Sequence, residues 1–341
     1  MNVEGFSWGQ TISGLLAGRD LTEEQASAAM VEIMEGAATP AQIAGFVIAL
    51  RAKGESAEEI AGLVRTMRSY AQRVEVSGDL LDTCGTGGDR AGTFNVSTAA
   101  ALVCAGAGVK VAKHGNRAAS SRCGSADVLE TLGVKIDLPP EGVARCIEAA
   151  GMGFCFAPVF HPAMRHAGAP RRELGVATVF NFLGPLTNPA GAKRQALGVS
   201  DRSMLDKMVA ALALLGSERV LAFHGHAGLD ELSTSGPSEV LELRDGELST
   251  WTLDPADLDL APAELSDVAG GSAEENASYI RQVLSGEGGP RRDIVVLNAA
   301  AGLVAVGRAD DIFDGLQQAS EAIDSGRAQR ALDQLIQVSN D

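Results

Sequence analysis

The sequence predicts an α/β protein in which a small all-helical domain precedes a larger domain with a mostly parallel central sheet flanked by helices. Residues 8–72 carry helical periodicity with repeated capping signals, and from about residue 74 apolar strand-like runs alternate with helical stretches. An Asp-Gly pair between two short runs adds a hairpin. A chain of 341 residues can bury a core of that size.

The 8–72 region reads as four short helices. Thr39-Pro40-Ala41-Gln42 joins an N-cap hydroxyl, a proline at the first helical position and a glutamine at the third, with Ile43, Phe46, Val47 and Leu50 following at helical spacing. Ser56-Ala57-Glu58-Glu59 repeats the capping box ahead of Ile60, Leu63, Val64 and Met67, and the segment from Thr22 to Gln25 does so once more. Helices this short are marginal alone, so their apolar stripes must pack on one another, on the rest of the chain or on a second subunit.

Strand-like runs at 78–83, 109–113, 153–157, 195–199 and 219–224 then alternate with helical stretches such as 96–107, 141–150 and 202–215. That order implies parallel pairing through right-handed crossovers, with ligands at the carboxyl ends of the strands. Residues 240–243 and 248–251 flank Asp245-Gly246, which places an antiparallel pair at an edge. The remainder, 272–338, reads as three or four helices, and no internal repeat is visible.

Composition narrows the function. The 28 Lys and Arg against 44 Asp and Glu leave a net charge of −16, which disfavours nucleic acid and anionic lipid as partners. The opening residues lack a basic, then apolar, leader and no run of 18 apolar residues occurs, so a cytoplasmic protein without a membrane span is expected. Cys84, Cys104, Cys123, Cys146 and Cys155 are far apart and read as small buried thiols rather than zinc ligands or disulfides. The 40 glycines are about 12% of the chain against a usual ~7%, an excess without any repeat, so it must be local.

Part of that excess lies in Asp82-Thr83-Cys84-Gly85-Thr86-Gly87-Gly88-Asp89, between a strand run and a helix that starts around Asn95-Val96-Ser97-Thr98. Glycines let backbone N–H groups approach a phosphate, and a helix start adds aligned donors. The loop matches neither the Walker pattern nor the dinucleotide fingerprint, and a merely tight strand-to-helix turn explains it about equally well. Lys113-His114-Gly115-Asn116-Arg117 follows the next strand run, and Ser120-Ser121-Arg122-Cys123-Gly124-Ser125-Ala126-Asp127 leads into another helix. Two successive strand ends thus carry groups suited to anions.

With these segments, Thr93-Phe94-Asn95-Val96-Ser97-Thr98, Gly124-Ser125-Ala126-Asp127-Val128-Leu129-Glu130, Phe160-His161-Pro162-Ala163-Met164, Arg171-Arg172-Glu173-Leu174-Gly175, Asn181-Phe182-Leu183-Gly184-Pro185-Leu186-Thr187-Asn188-Pro189 and Gly228-Leu229-Asp230-Glu231-Leu232, the chain resembles the anthranilate phosphoribosyltransferase family across roughly residues 8–250. The resemblance implies transfer of the phosphoribosyl group of 5-phosphoribosyl-1-pyrophosphate to the amine of anthranilate, in tryptophan biosynthesis. It also implies a helical domain of residues 1–73 joined by helices from about 161–190, an α/β domain of 74–160 and 191–341, and a homodimer through the helical domains.

Carried over by the same resemblance, Gly85, Gly88, Asp89, Thr93, Asn95, Val96, Ser97, Thr98, Lys113, His114, Gly115, Asn116, Arg117, Ala118, Ala119, Ser120, Ser121 and Ser125 contact the phosphoribosyl donor. Gly85, Asn116 and Arg171 contact anthranilate, with a possible register shift to Arg172, because the family's Pro-Val-Arg-Lys-Glu reads Ala169-Pro170-Arg171-Arg172-Glu173 here. Ser97, Asp230 and Glu231 hold magnesium, with two ions per monomer implied. No dedicated general base is expected, since an aromatic amine is neutral at pH 7. His161 and His166 receive no role. Two alternatives are a pyrimidine nucleoside phosphorylase-like enzyme, disfavoured by the Lys-His-Gly-Asn-Arg run, and a non-catalytic nucleic-acid-binding homologue, disfavoured by the charge.

Overall fold

The computed structural model describes residues 5–118 and 122–341. Helices α1 (Trp8–Leu16), α2 (Glu23–Met34), α3 (Pro40–Lys53) and α4 (Ala57–Ser69) form the N-terminal region. The boxes at Thr22, Thr39 and Ser56 all close, each hydroxyl accepting from the N3 backbone while the N3 side chain accepts from the cap N–H.

The chain continues through β1 (Leu81–Gly85), α5 (Val96–Gly106), β2 (Val111–Gly115), α6 (Ser125–Leu132), α7 (Pro140–Ala150), β3 (Met152–Phe156), α8 (Ala157–Phe160), α9 (Arg165–Leu174), α10 (Phe180–Leu183), β4 (Arg194–Gly198), α11 (Arg202–Leu214) and β5 (Arg219–His224). The hairpin β6 (Ser238–Arg244) and β7 (Glu247–Leu253) precedes α12 (Ala273–Leu284), α13 (Pro290–Val306), α14 (Ile312–Asp324) and α15 (Arg327–Asn340).

The sheet runs β3-β2-β1-β4-β5-β6-β7, parallel through β5 and antiparallel at the β6–β7 edge. Asp245 and Gly246 take φ of 52° and 84°, the left-handed pair that a tight hairpin requires. One face of the sheet is covered by α5, α7 and the C-terminal helices, and the other, along β4 to β6, by α11 and the N-terminal helices. In that second core α9 and α10 also pack against the N-terminal helices.

β1 and β2 begin two to three residues later than their apolar runs. Val109 is drawn into the end of α5, where its N–H bonds the Cys104 carbonyl, so that β2 starts only at Val111. Both strands therefore end on a motif glycine, Gly85 and Gly115.

The central ladder is interrupted where the site lies. β1 pairs β4 over five positions and β2 pairs β3 over five, yet β1 and β2 meet in register only at Leu81 and Val111. Side chains replace the missing rungs: the Asp82 carboxylate accepts the His114 N–H at 3.1 Å, the Asn188 amide donates to the Ala112 carbonyl at 2.7 Å, and the Lys113 ammonium donates to the Thr83 carbonyl. The backbone groups stay satisfied while the strands part.

Candidate active site

The parted ends of β1 and β2, the loop after β5 and helices α9 and α10 enclose a cavity of about 1060 Å³. Every donor and anthranilate residue inferred above that lies within the described residues lines it, as do Asp230 and Glu231. Ala119, Ser120 and Ser121 lie outside the described residues.

On one side the cavity is built for an anion. α5 starts without a side-chain cap, because the Asn95 amide donates to the Cys123 carbonyl at 3.1 Å. Ser97 and Thr98 do not cap it either: the Ser97 hydroxyl lies 3.3 Å from the Lys113 ammonium, and the buried Thr98 hydroxyl has no hydrogen-bond partner. Lys113 itself is 1% exposed, and burial pulls its pKa down while Asp82, Glu231 and Asp230 push it up. Arg117 is already engaged, its guanidinium reaching Asp127 at 2.8 Å and Glu130 at 2.9 Å.

Facing the glycine loop are the acidic groups. The Asp230 carboxylate accepts from the Gly87 N–H at 2.7 Å, and Glu231 accepts from the Ser97 N–H at 3.1 Å. Burial, then the neighbouring Asp89 carboxylate, raises Asp230 to about 7, and burial followed by Asp230 raises Glu231. One Asp89 oxygen is buried without a partner. Carboxylates this poorly compensated suit a cation. Among the described residues no set of three or more His, Cys, Asp or Glu side chains forms a complete cage. Magnesium bound partly through substrate phosphates and water needs none.

The opposite wall is aromatic and cationic. Arg171 lies half-buried over the Phe180 ring at 5.4 Å, while its neighbour Arg172 is exposed. The His114 and His161 rings lie 5.1 Å apart, tilted 59° to one another, with His114 Nδ1 3.0 Å from the Gly184 carbonyl and His161 against the Thr187 backbone. Both Nε2 atoms are buried without partners, and burial depresses His114 to about 3 and His161 to about 4.

Such depressed values have a sign. The folded protein keeps His161 neutral down to about pH 4, whereas the unfolded chain takes up a proton near its ordinary value of about 6.5, so stability is lost as pH falls through that window. His161→Gln is expected to lose less stability than the parent chain between pH 6.5 and 4 in urea unfolding, carboxylate contributions being common to both. Identical slopes would contradict a neutral buried His161.

Several site features carry no local sequence signal. Asn276 is buried at the cavity wall from a helix far along the chain, and Gly198 lies directly beneath Asp230, where an added Cβ would fall on the Asp230 carbonyl. His161 was visible only as part of a motif. Asp82 stood inside the glycine segment, but its burial at the strand parting depends on β2 and on Asn188.

The glycosyl transferase family α/β domain matches residues 77–329, and the helical bundle domain of the same family matches 10–71. The anthranilate phosphoribosyltransferase of Roseiflexus castenholzii is 56% identical over 328 residues, 96% of each chain. The crystal structure of the anthranilate phosphoribosyltransferase from Thermus thermophilus superposes with a TM-score of 0.92 at 46% identity, covering 97% of this chain and 99% of that one. The Saccharomyces cerevisiae enzyme, solved in complex with PRPP and Mg, superposes at 0.89 with 31% identity over 98% of both chains, and it is also known in complex with 4-fluoroanthranilate. With that likeness spanning both domains and nearly the whole chain, this protein belongs to the anthranilate phosphoribosyltransferase family.

Proposed function

We propose that the chain transfers the phosphoribosyl group of 5-phosphoribosyl-1-pyrophosphate to the amine of anthranilate, releasing pyrophosphate and N-(5-phosphoribosyl)anthranilate in tryptophan biosynthesis. The observation that carries this reading is one cavity with an uncapped helix start, a glycine loop and an adjacent acidic pair on one side and an arginine over an aromatic ring on the other.

The amine nitrogen bonds to the sugar carbon as the bond to pyrophosphate breaks, and the nitrogen then loses a proton to the departing pyrophosphate. The α5 start, the glycine-loop amides and Lys113 bind and orient the donor's phosphates. Asp230 and Glu231, with Ser97, would hold magnesium, two ions per monomer, which when bound offsets charge on pyrophosphate. Arg171 pairs the anthranilate carboxylate with a planar fork, Asn116 adds an amide, and the neutral His114 offers an acceptor at the cavity wall.

The remaining assignments complete this reading: residues 1–73 with 161–190 form a helical unit that joins two copies into a homodimer, and the enzyme works in the cytoplasm. Anthranilate fluorescence should fall only when the donor and magnesium are both supplied. Persistence of the signal, or base release from uridine and phosphate instead, would overturn the assignment. Arg171→Ala is expected to raise KM for anthranilate by at least about tenfold and that for the donor by less than about threefold. Parallel rises would indicate general damage.

A further inference from the structure

Asn276, near the start of α12, is 2% exposed and belongs to none of the groups assigned above. Its Oδ1 accepts from the Gly271 N–H at 2.8 Å, and its Nδ2 donates to Asn95 Oδ1 at 2.9 Å. Asn95 Nδ2 in turn donates to the Cys123 carbonyl at 3.1 Å. Both ends of this relay are backbone groups of fixed polarity, an N–H that can only donate and a carbonyl that can only accept. The orientation of both amides follows from those ends, and turning either over would set like groups against each other.

The relay crosses three separate stretches of the cavity wall. It joins the 92–95 loop before α5, the 122–124 segment before α6 and the 269–271 segment before α12. The first and third are tied again by the Phe94 N–H to the Val268 carbonyl at 3.1 Å and the Gly270 N–H to the Gly92 carbonyl at 2.8 Å. The link to 122–124 runs through the Asn95 amide that Asn276 orients, and through the Cys123 thiol, which Asn276 also engages. Asn95 also occupies the N-cap place of α5, where asparagine commonly accepts from the helix start. Held sideways by Asn276, it leaves that start uncapped by any side chain.

We infer that Asn276 is a positioning residue for the phosphoribosyl donor: it orients the Asn95 side chain and thereby fixes the loop before α5 against the segment before α6 while keeping the α5 start open. The inference rests on the reading that this cavity binds 5-phosphoribosyl-1-pyrophosphate.

Two neutral substitutions separate positioning from packing. Asn276→Leu keeps the volume and removes every hydrogen bond; Asn276→Ser loses volume but keeps a hydroxyl able to accept from Gly271 and donate toward Asn95. Titration calorimetry with 5-phosphoribosyl-1-pyrophosphate and magnesium should show donor affinity falling at least about tenfold in Asn276→Leu and less in Asn276→Ser, with KM for anthranilate within about threefold of the parent chain. A packing role gives the reverse order, and that order, an unchanged donor affinity in Asn276→Leu, or equal rises in both KM values would each overturn the inference. If Asn276→Leu does not fold, Asn276→Ala takes its place beside Asn276→Ser: both lose volume and only serine keeps a hydroxyl, so weaker donor binding in Asn276→Ala than in Asn276→Ser supports the inference and equal binding refutes it. A parent chain that binds donor yet leaves anthranilate unconsumed defeats the proposed reaction and leaves this inference standing; one that binds no donor defeats both.

Discussion

Gly198→Ala is expected to remove most of the activity, with a kcat loss of at least about a hundredfold, and to lower stability by about 1–3 kcal/mol. In register, Gly198 on β4 stands beside Gly85 on β1, and both face Asp230. A Cβ on Gly198 would land on the Asp230 backbone carbonyl, so the loop after β5 must move as a whole. A Cβ on Gly85 meets the Asp230 carboxylate, a side-chain end that can swing aside. Gly85→Ala should therefore cost less stability than Gly198→Ala while still raising the magnesium concentration needed for half-maximal rate. Gly288 has no atom within 4 Å of an added Cβ and no positive φ, so Gly288→Ala serves as the neutral control. Thermal melting together with magnesium titration of the rate reads all three. Wild-type turnover in Gly198→Ala would remove the close approach of β4 to Asp230 as a requirement of the site.

That residue shows where reading the sequence stops. The capping boxes at Thr22, Thr39 and Ser56 and the Asp245-Gly246 turn are local devices, whose chemistry lies within four residues, and each appears where the pattern places it. The same holds for the glycine loop at the end of β1. Gly198, by contrast, closes an ordinary parallel strand, and its need to be glycine comes from a carbonyl 32 positions later that only folding brings above it. The parting of β1 from β2 is hidden for the same reason, since Asp82, Lys113 and Asn188 substitute for ladder bonds across three elements.

Charge reading from sequence has a matching limit. Arg117 belongs to a cationic run, but α6 returns Asp127 and Glu130 onto it, so its charge is balanced within its own neighbourhood. Lys113 in the same run points between the strands and is buried, its ammonium donating to the Thr83 carbonyl and the Ser97 hydroxyl. The excess of glycine and the net charge of −16 are thus related at one place: glycines let the backbone close around Asp230, and carboxylates from an acidic chain are gathered under it.

Glu231→Gln tests that gathering, and its two effects should run in opposite directions. Without magnesium the variant is expected to melt at or above the parent temperature, because Glu231 is buried beside the half-buried Asp230, the two carboxylates repel, and burial is the foremost cause of the raised Glu231 value. Glutamine keeps an oxygen to accept the Ser97 N–H, now at 3.1 Å, so the loss is confined to the charge. The attraction of Lys113 for Glu231 is also lost, but it ranks below burial and Asp230 among the influences on that carboxyl. With magnesium the parent should gain stability as the ion binds the folded state, by about 2.7 kcal/mol at a hundredfold excess over its Kd, and Glu231→Gln should gain little. Turnover should fall at least about a thousandfold, since the charge that would hold the ion against pyrophosphate is gone. A variant that melts lower than the parent in the absence of metal and still shows the full magnesium shift would mean that Glu231 supports the fold through Ser97 and leaves the ion to other groups. A higher melting temperature combined with a lost magnesium response has no such structural explanation: it requires two adjacent carboxylates held together at the expense of stability for a cation.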